Sequence, residues 1–167
     1  MKIKIFLLSL LILTSKIDAQ NQNDIYAGLM FHFGKYVQWP ANMQSGDFVI
    51  GVQGNSPLKG KLETLAASKN INGRKIVIKK VASSSDLEGC HILFVPDNSI
   101  ASIAEYKSKI KANHVLLVTE GDGNLQKGSV FNFIEKDGKV RFEFSQSDAD
   151  AHNLKVSSDL VKLAIVK

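Results

Sequence analysis

Four short apolar runs, separated from one another by segments of helical spacing, constrain the fold of this chain most strongly. The runs are 48–53, 74–81, 90–95 and 114–119, and they are rich in valine, isoleucine and leucine. Strands that are apolar on both faces are typical of a sheet covered by helices on both sides. The pattern therefore predicts a single-domain α/β fold with a mixed, mainly parallel sheet and helices on both faces.

The segments around these runs carry helical periodicity. Apolar residues between 25 and 38 fall on one arc of a helix, and Pro40 predicts that this helix ends near Gln38. A serine and a proline at 56 and 57 predict the start of a second helix that ends around residue 69. A third helix is predicted over about 99–111.

The last part of the chain indicates a β-hairpin and a helix. Segments 129–135 and 139–145 flank Asp137-Gly138, a step that is typical of a tight hairpin turn. Apolar residues between Val156 and Val166 predict a final helix. The fold prediction therefore ends with a C-terminal β-hairpin followed by a helix.

The first nineteen residues have the features of an export signal. Two lysines precede the apolar run 5–13, and Ala19 is a suitable residue for cleavage. The run is too short to cross a hydrocarbon layer of about 30 Å. We therefore expect residues 1–19 to be a signal peptide cleaved after Ala19 and residues 20–167 to form an exported domain that does not span the membrane. A retained N-terminal anchor is the alternative.

The formal net charge of +5 does not indicate a nucleic-acid partner. The basic clusters are Arg74-Lys75, Lys79-Lys80 and the lysines between 107 and 111. They lack the interleaved aromatic residues of a single-strand binding groove. Lysines at strand edges discourage edge pairing, and lysines in a last helical turn complement the helix dipole. We expect no nucleic-acid partner.

No motif for catalysis, metal binding or cofactor binding is present. The four histidines lack metal-ligand spacing. The spacing from Gly54 to Gly60-Lys61 is one residue too long for a phosphate loop, and Leu62 replaces the hydroxyl that would hold magnesium. Cys90 and His91 are strand neighbours that point to opposite faces, so the imidazole cannot readily activate the thiol. We expect no enzymatic activity, no metal, no cofactor and a buried, unpaired Cys90.

The end of the first helix is a candidate protein-binding surface. Phe31 lies off the apolar arc beside Lys35, and Trp39 and Pro40 follow at the helix exit. Aromatic side chains carry much of the energy of protein interfaces. We expect Phe31, Lys35, Trp39 and Pro40 to bind a partner. The other interpretation of Trp39 is that it closes the end of the core.

A second candidate site follows two of the predicted strands. Ligands of α/β sheets bind outside the carboxyl ends of the strands, where loops 96–98 and 120–124 should lie. A solute-binding sensor is therefore an alternative function, and its pocket residues would be Asp97, Asn98, Glu120, Asp122 and Asn124. A hydrolase that uses the carboxylates of Asp97 and Glu120 is a third interpretation, and no motif supports it.

Seven segments form a recognisable pattern through their order and spacing. They are 33–40 (FGKYVQWP), 50–54 (IGVQG), 90–95 (CHILFV), 115–119 (VLLVT), 128–133 with Asn132, 141–143 (RFE) and 154–164 (LKVSSDLVKLA). Over nearly all of the mature chain, this pattern resembles the YfiR/HmsC-like family of exported bacterial proteins.

The resemblance implies a small periplasmic α/β regulator without known catalytic activity. The best-understood family members bind the periplasmic sensor portion of an inner-membrane diguanylate cyclase, hold that enzyme inactive, and so lower cyclic-di-GMP and biofilm formation. The resemblance also implies a homodimer, and some members carry disulfides that respond to redox conditions. Cys90 has no partner here, so the resemblance does not extend to a disulfide. A membrane histidine kinase is the alternative partner.

Overall fold

An eight-stranded sheet forms the centre of the structure, which is a computed structural model that describes residues 19–167. The α-helices in this range are α1 (Ala19–Tyr36), α2 (Leu58–Ala66), α3 (Ile103–Ala112), α4 (Gln146–Ala151) and α5 (Ser158–Val161). The strands are β1 (Val37–Gln38), β2 (Phe48–Gln53), β3 (Asn70–Ile71), β4 (Arg74–Val81), β5 (Ile92–Val95), β6 (Leu116–Glu120), β7 (Phe131–Lys136), β8 (Lys139–Phe144), β9 (Lys155–Val156) and β10 (Ile165–Val166). The predicted signal peptide lies outside the described residues, apart from Ala19 at the start of α1.

The strand order in the sheet is β10-β8-β7-β6-β5-β2-β4-β3. Strands β4, β2, β5, β6 and β7 run parallel, and β10 is parallel to β8. The antiparallel pairs are β7 with β8, which form the predicted hairpin, and β3 with β4. This arrangement confirms the α/β prediction of a mainly parallel mixed sheet.

Alternate residues of the central strands bury opposite faces of the sheet. Leu116 and Val118 of β6 belong to the core under α1 and α2, whereas Leu117 belongs to the core under α3. The α1 side chain of Phe33 stacks on Phe131, with ring centroids 4.1 Å apart. Burial on both faces explains why these strands read as continuous apolar runs.

The predicted hairpin is followed by a helix, α4, but the continuous apolar helix predicted over Val156 to Val166 does not form. Only one helical turn, α5, forms between Val156 and Val166, and it lies between β9 and β10. Ser157 caps this turn by accepting a hydrogen bond from the backbone N–H of Leu160. The flanking residues pair across the fold, β9 with β1 and β10 with β8, because edge strands offer unpaired backbone groups.

The first helix ends two residues earlier than predicted, because a short strand, β1, follows it. Helix α1 ends at Tyr36, and Val37 pairs with Val156 in a two-stranded antiparallel ribbon. The third helix begins as a 3-10 segment over Asp97–Ser102 before α3.

Among residues 19–167, no helix has both the length and the apolar character needed to cross a bilayer.

Candidate functional site

A groove of about 440 Å³ lies where α1 ends, and we call it the exit groove. Its lining includes Lys35, Gln38, Trp39, Gln44 and Arg74. No acidic side chain occurs among the described residues that line the groove. Its two cationic groups therefore give the groove a positive potential.

Trp39 forms the inner wall of the exit groove. Its side chain is only 5% exposed and packs edge-on against Phe48, with ring centroids 5.2 Å apart. This burial agrees with the interpretation that Trp39 closes the end of the core. The indole Nε1 nevertheless has no hydrogen-bond partner. Trp39 therefore has a structural role, and its indole N–H is a buried donor without a partner.

Arg74 holds the loop 43–47, which contributes Gln44 to the lining of the groove. Its guanidinium donates hydrogen bonds to the carbonyl oxygens of Met43, Ser45, Gly46 and Asp47, over 3.0, 3.0, 2.7 and 2.8 Å. The same loop contributes Gln44, whose Nε2 donates to the carbonyl oxygen of Trp39 over 2.7 Å. These bonds hold the loop beside Trp39 and Arg74.

The four residues predicted as a binding surface are only partly brought together. Lys35 and Trp39 line the exit groove, and Pro40 lines an adjoining groove of about 270 Å³ that also includes Trp39 and Lys155. Phe31 lies outside both. Its half-buried ring packs below Lys35 and Lys69, whose Nζ atoms are 5.5 and 5.8 Å from the ring centroid.

A second cleft, of about 280 Å³, lies at the carboxyl ends of β5 and β6, and we call it the carboxyl-end cleft. Asp97, Glu120 and Asp122 line it together with Tyr26 of α1. The backbone N–H of Asp97 donates to Oε1 of Glu120 over 3.4 Å. The loops that follow β5 and β6 therefore meet at this edge of the sheet.

Two of the predicted pocket residues have other positions. Asn124 is buried beneath the cleft, where its Nδ2 donates to Oδ1 of Asp97 over 2.7 Å. Asn98 is exposed outside the cleft and accepts a hydrogen bond from Oγ of Ser99. Asn124 therefore orients a cleft carboxylate, and Asn98 does not contribute to the cleft.

The carboxyl-end cleft is acidic. Burial raises the pKa of Glu120, and the nearby Asp97 carboxylate raises it further. Burial, together with the charge of Glu120, also raises the pKa of the Tyr26 phenol well above its usual range. A cleft with this charge favours cationic groups. In the part of the chain that the structure describes, no three His, Cys, Asp or Glu side chains are grouped to hold a metal ion.

Some site residues were not identifiable from local patterns. Sequence analysis predicted Arg74 to be a cation at a strand edge and Tyr26 to be a core residue on the apolar arc of the first helix. Their positions in the two clefts depend on contacts with residues distant in the chain, such as Met43 for Arg74 and Glu120 for Tyr26. Local periodicity does not contain this information.

The family follows from a comparison of the sequence with family profiles. The profile described as YfiR/HmsC-like matches residues 23–165. The chain belongs to the YfiR/HmsC-like family. This confirms the resemblance seen in the sequence. The family comprises periplasmic regulatory proteins rather than enzymes, and their role implies interaction with a membrane signalling protein. A search of curated protein sequences gives no significant match.

Solved structures share the fold of this YfiR/HmsC-like protein. One is a conserved domain protein from Vibrio cholerae O1 biovar El Tor strain N16961, with a TM-score of 0.59, 13% identity and 86% of this chain covered. Another is the ABC domain in complex with L-Trp from Streptococcus pneumonia, with a TM-score of 0.55, 12% identity and 84% covered. This chain spans 59% of each of those chains. At these identities the likeness concerns the fold alone.

Proposed function

We propose that this protein is an exported periplasmic repressor that binds the sensor portion of an inner-membrane diguanylate cyclase through the surface around the exit groove. Binding would hold the cyclase inactive and so lower cyclic-di-GMP and biofilm formation. The observation that carries the proposal is the preformed groove, whose charged lining residues, among those that the structure describes, are the cations Lys35 and Arg74.

The chemistry of the groove defines what a partner should supply. Lys35 and Arg74 favour a carboxylate on the partner. An acidic side chain of the partner meets this need. The loop held by Arg74 is rigid, which lowers the conformational cost of binding.

A binding measurement with two charge-reversed variants tests the proposal. Lys35→Glu should weaken binding to the purified sensor domain at least about tenfold, since like charges across an interface are strongly unfavourable. Lys136→Glu is the matched control, because Lys136 is exposed at the far end of β7 and lies outside the groove. Equal affinity of Lys35→Glu and Lys136→Glu would contradict the proposed surface.

Phe31 is tested separately, because its ring lies outside the groove. If Phe31→Ala leaves partner capture and dimerisation unchanged in a folded protein, Phe31 does not belong to the surface. The shielding of its ring by Lys35 and Lys69 supports a smaller role for Phe31 than for Lys35.

The proposed partner and the proposed homodimer need independent measurements. A neighbouring reading frame that encodes a membrane protein with a periplasmic domain and a cyclase output supports the diguanylate cyclase, and a kinase output supports the alternative histidine kinase. Light scattering on the purified protein measures whether it is a homodimer. A monomer that still binds the sensor domain would contradict the homodimer and support the proposed partner.

The second candidate function is that of a small-solute sensor, and the carboxyl-end cleft favours it. Asp97, Glu120 and Asp122 converge there at the strand ends, and their charge suits an amine-bearing solute. Putrescine, a diamine, should raise the melting temperature and succinate should not. Loss of the putrescine effect in Glu120→Gln would support the cleft as its site, and no effect on the wild type would remove this function.

A further inference from the structure

A third cleft lies on the opposite face of the sheet from α1, between α3 and α4, and we call it the α3–α4 cleft. Its volume is about 150 Å³. Ile103 and Ile110 of α3 form one wall, Leu117 of β6 lies at its base, and Ala151 and His152 close the other side. It shares no lining residue with the exit groove or the carboxyl-end cleft.

Three lysines surround this cleft. Lys107 and Lys111 lie one helical turn apart on α3, on the same face, and Lys127 approaches from the 3-10 segment Asn124–Lys127. The single carboxylate in the lining is that of Asp148, and its Oδ2 accepts a hydrogen bond from Oγ of Ser145 over 2.5 Å. The lining therefore carries an excess of positive charge, which favours an anion.

The second observation is the orphaned nitrogen of His152. This side chain is 7% exposed, and its Nδ1 has no hydrogen-bond partner. Burial lowers the pKa of His152, so the ring is neutral near pH 7. The tautomer of the neutral ring decides whether Nδ1 donates or accepts a hydrogen bond. A hydroxyl group can do both, so it can pair with Nδ1 in either tautomer.

We propose that the α3–α4 cleft binds a small hydroxycarboxylate, with its carboxylate towards the lysines and its hydroxyl hydrogen-bonded to Nδ1 of His152. The base of the cleft is apolar, which suits a short aliphatic body. At about 30 Å³ per water molecule, the volume equals that of about five waters, so a nucleotide is too large.

Two probes that differ only in the hydroxyl test this proposal. By calorimetry and amide chemical-shift mapping, 2-hydroxyisovalerate should bind with a dissociation constant at least about fivefold lower than isovalerate, the effect of one net hydrogen bond. The shifts should centre on α3, α4 and His152. Equal affinities, shifts elsewhere, or no saturable binding up to about 10 mM would overturn the proposal. Tighter binding of inorganic phosphate would overturn the hydroxycarboxylate class.

Three variants test whether the ligand binds in the cleft, so the result does not depend on a single substitution that could impair folding. Lys111→Met should weaken 2-hydroxyisovalerate about fivefold, whereas Lys109→Met, on the same helix but outside the lining, should not change it. Ala151→Phe should fill the cleft and abolish binding, and the exposure of Ala151 makes this variant compatible with folding. Unchanged binding to a folded Ala151→Phe variant would contradict the site.

Discussion

The Arg74 guanidinium lies 2.9 Å from Nε2 of His91, and both groups contact the carbonyl oxygen of Met43. Nδ1 of His91 accepts a hydrogen bond from the backbone N–H of Val49 over 3.2 Å, so the imidazole proton is on Nε2. Both facing groups are then donors, and a shared acceptor holds them together. This arrangement connects the groove loop to β2, β4 and the start of β5.

Arg74→Met is expected to destabilise the protein by about 1–2 kcal/mol, because four carbonyl oxygens lose a charged donor at a partly exposed site. Urea unfolding measures the loss. Lys75→Met is the control, since Lys75 is the exposed neighbour on β4. Arg74→Lys should recover little of the stability, because an ammonium cannot reproduce the planar fork. Full recovery by lysine would contradict the geometry.

Stability should fall as the pH decreases from 7.5 to 5.5. Burial lowers the pKa of both His91 and His152 in the folded protein. Below the ordinary histidine pKa of about 6.5, the unfolded chain binds more protons, so the free energy of unfolding is largest above that pH and decreases below it. The decrease is at most about 1.4 kcal/mol per pH unit for each histidine. Urea unfolding at several pH values measures it.

Three variants identify the groups responsible for this pH dependence. His152→Gln should reduce the slope, whereas His32→Gln, on the exposed face of α1, should leave it unchanged. Glu120 acts in the opposite direction, because its raised folded pKa stabilises the protein at low pH and this contribution is lost as the pH rises. The slope should therefore be steeper in Glu120→Gln. A flat profile in that variant would be inconsistent with buried neutral histidines.

Two glycines of α1 should respond oppositely to alanine. A Cβ at Gly34 would lie 2.5 Å from Cδ1 of Ile71 and 3.2 Å from the Phe48 ring, so Gly34→Ala overpacks the core and should cost about 1–3 kcal/mol. A Cβ at Gly28 meets nothing within 4 Å, so Gly28→Ala should stabilise the helix by about 0.5–1 kcal/mol. Thermal unfolding measures the stability of both variants. If Gly34→Ala does not change the stability, α1 does not approach the sheet this closely.

The central strands and the hairpin were predictable because their signals are local. Strand β2 was predicted with its observed bounds, as was β4, and Asp137-Gly138 forms the predicted turn with positive φ at both residues. Val156 to Val166 was not predictable, because edge pairing with β1 and β8 outweighs the helical periodicity. Non-local hydrogen bonds decide short edge segments.

In the candidate sites, too, features set by local sequence were predictable and features set by contacts between distant residues were not. The meeting of Asp97 and Glu120 was predictable, since adjacent parallel strands end at the same edge of the sheet. The position of Lys35 and Trp39 beside Arg74 was not, because Arg74 reaches the groove from a strand 35 or more positions later in the chain. Chain order alone does not show which residue faces the end of α1.

Cys90 should be inert in the folded protein. Burial raises the pKa of its thiol to about 11, so almost no thiolate exists at neutral pH. A thiol reagent should therefore react with the native protein much more slowly than with the protein in urea. Reaction at equal rates in both conditions would show that Cys90 is accessible, and it would reopen a redox role for this family member.

The most direct test of the regulatory account measures cyclic-di-GMP in cells that lack the gene for this protein. Returning the wild-type gene or the Lys136→Glu variant should lower cyclic-di-GMP, whereas Lys35→Glu, produced at the same periplasmic level, should leave it high. Equal lowering by both variants would contradict the exit groove as the contact surface, and no lowering by the wild-type protein would contradict repression itself.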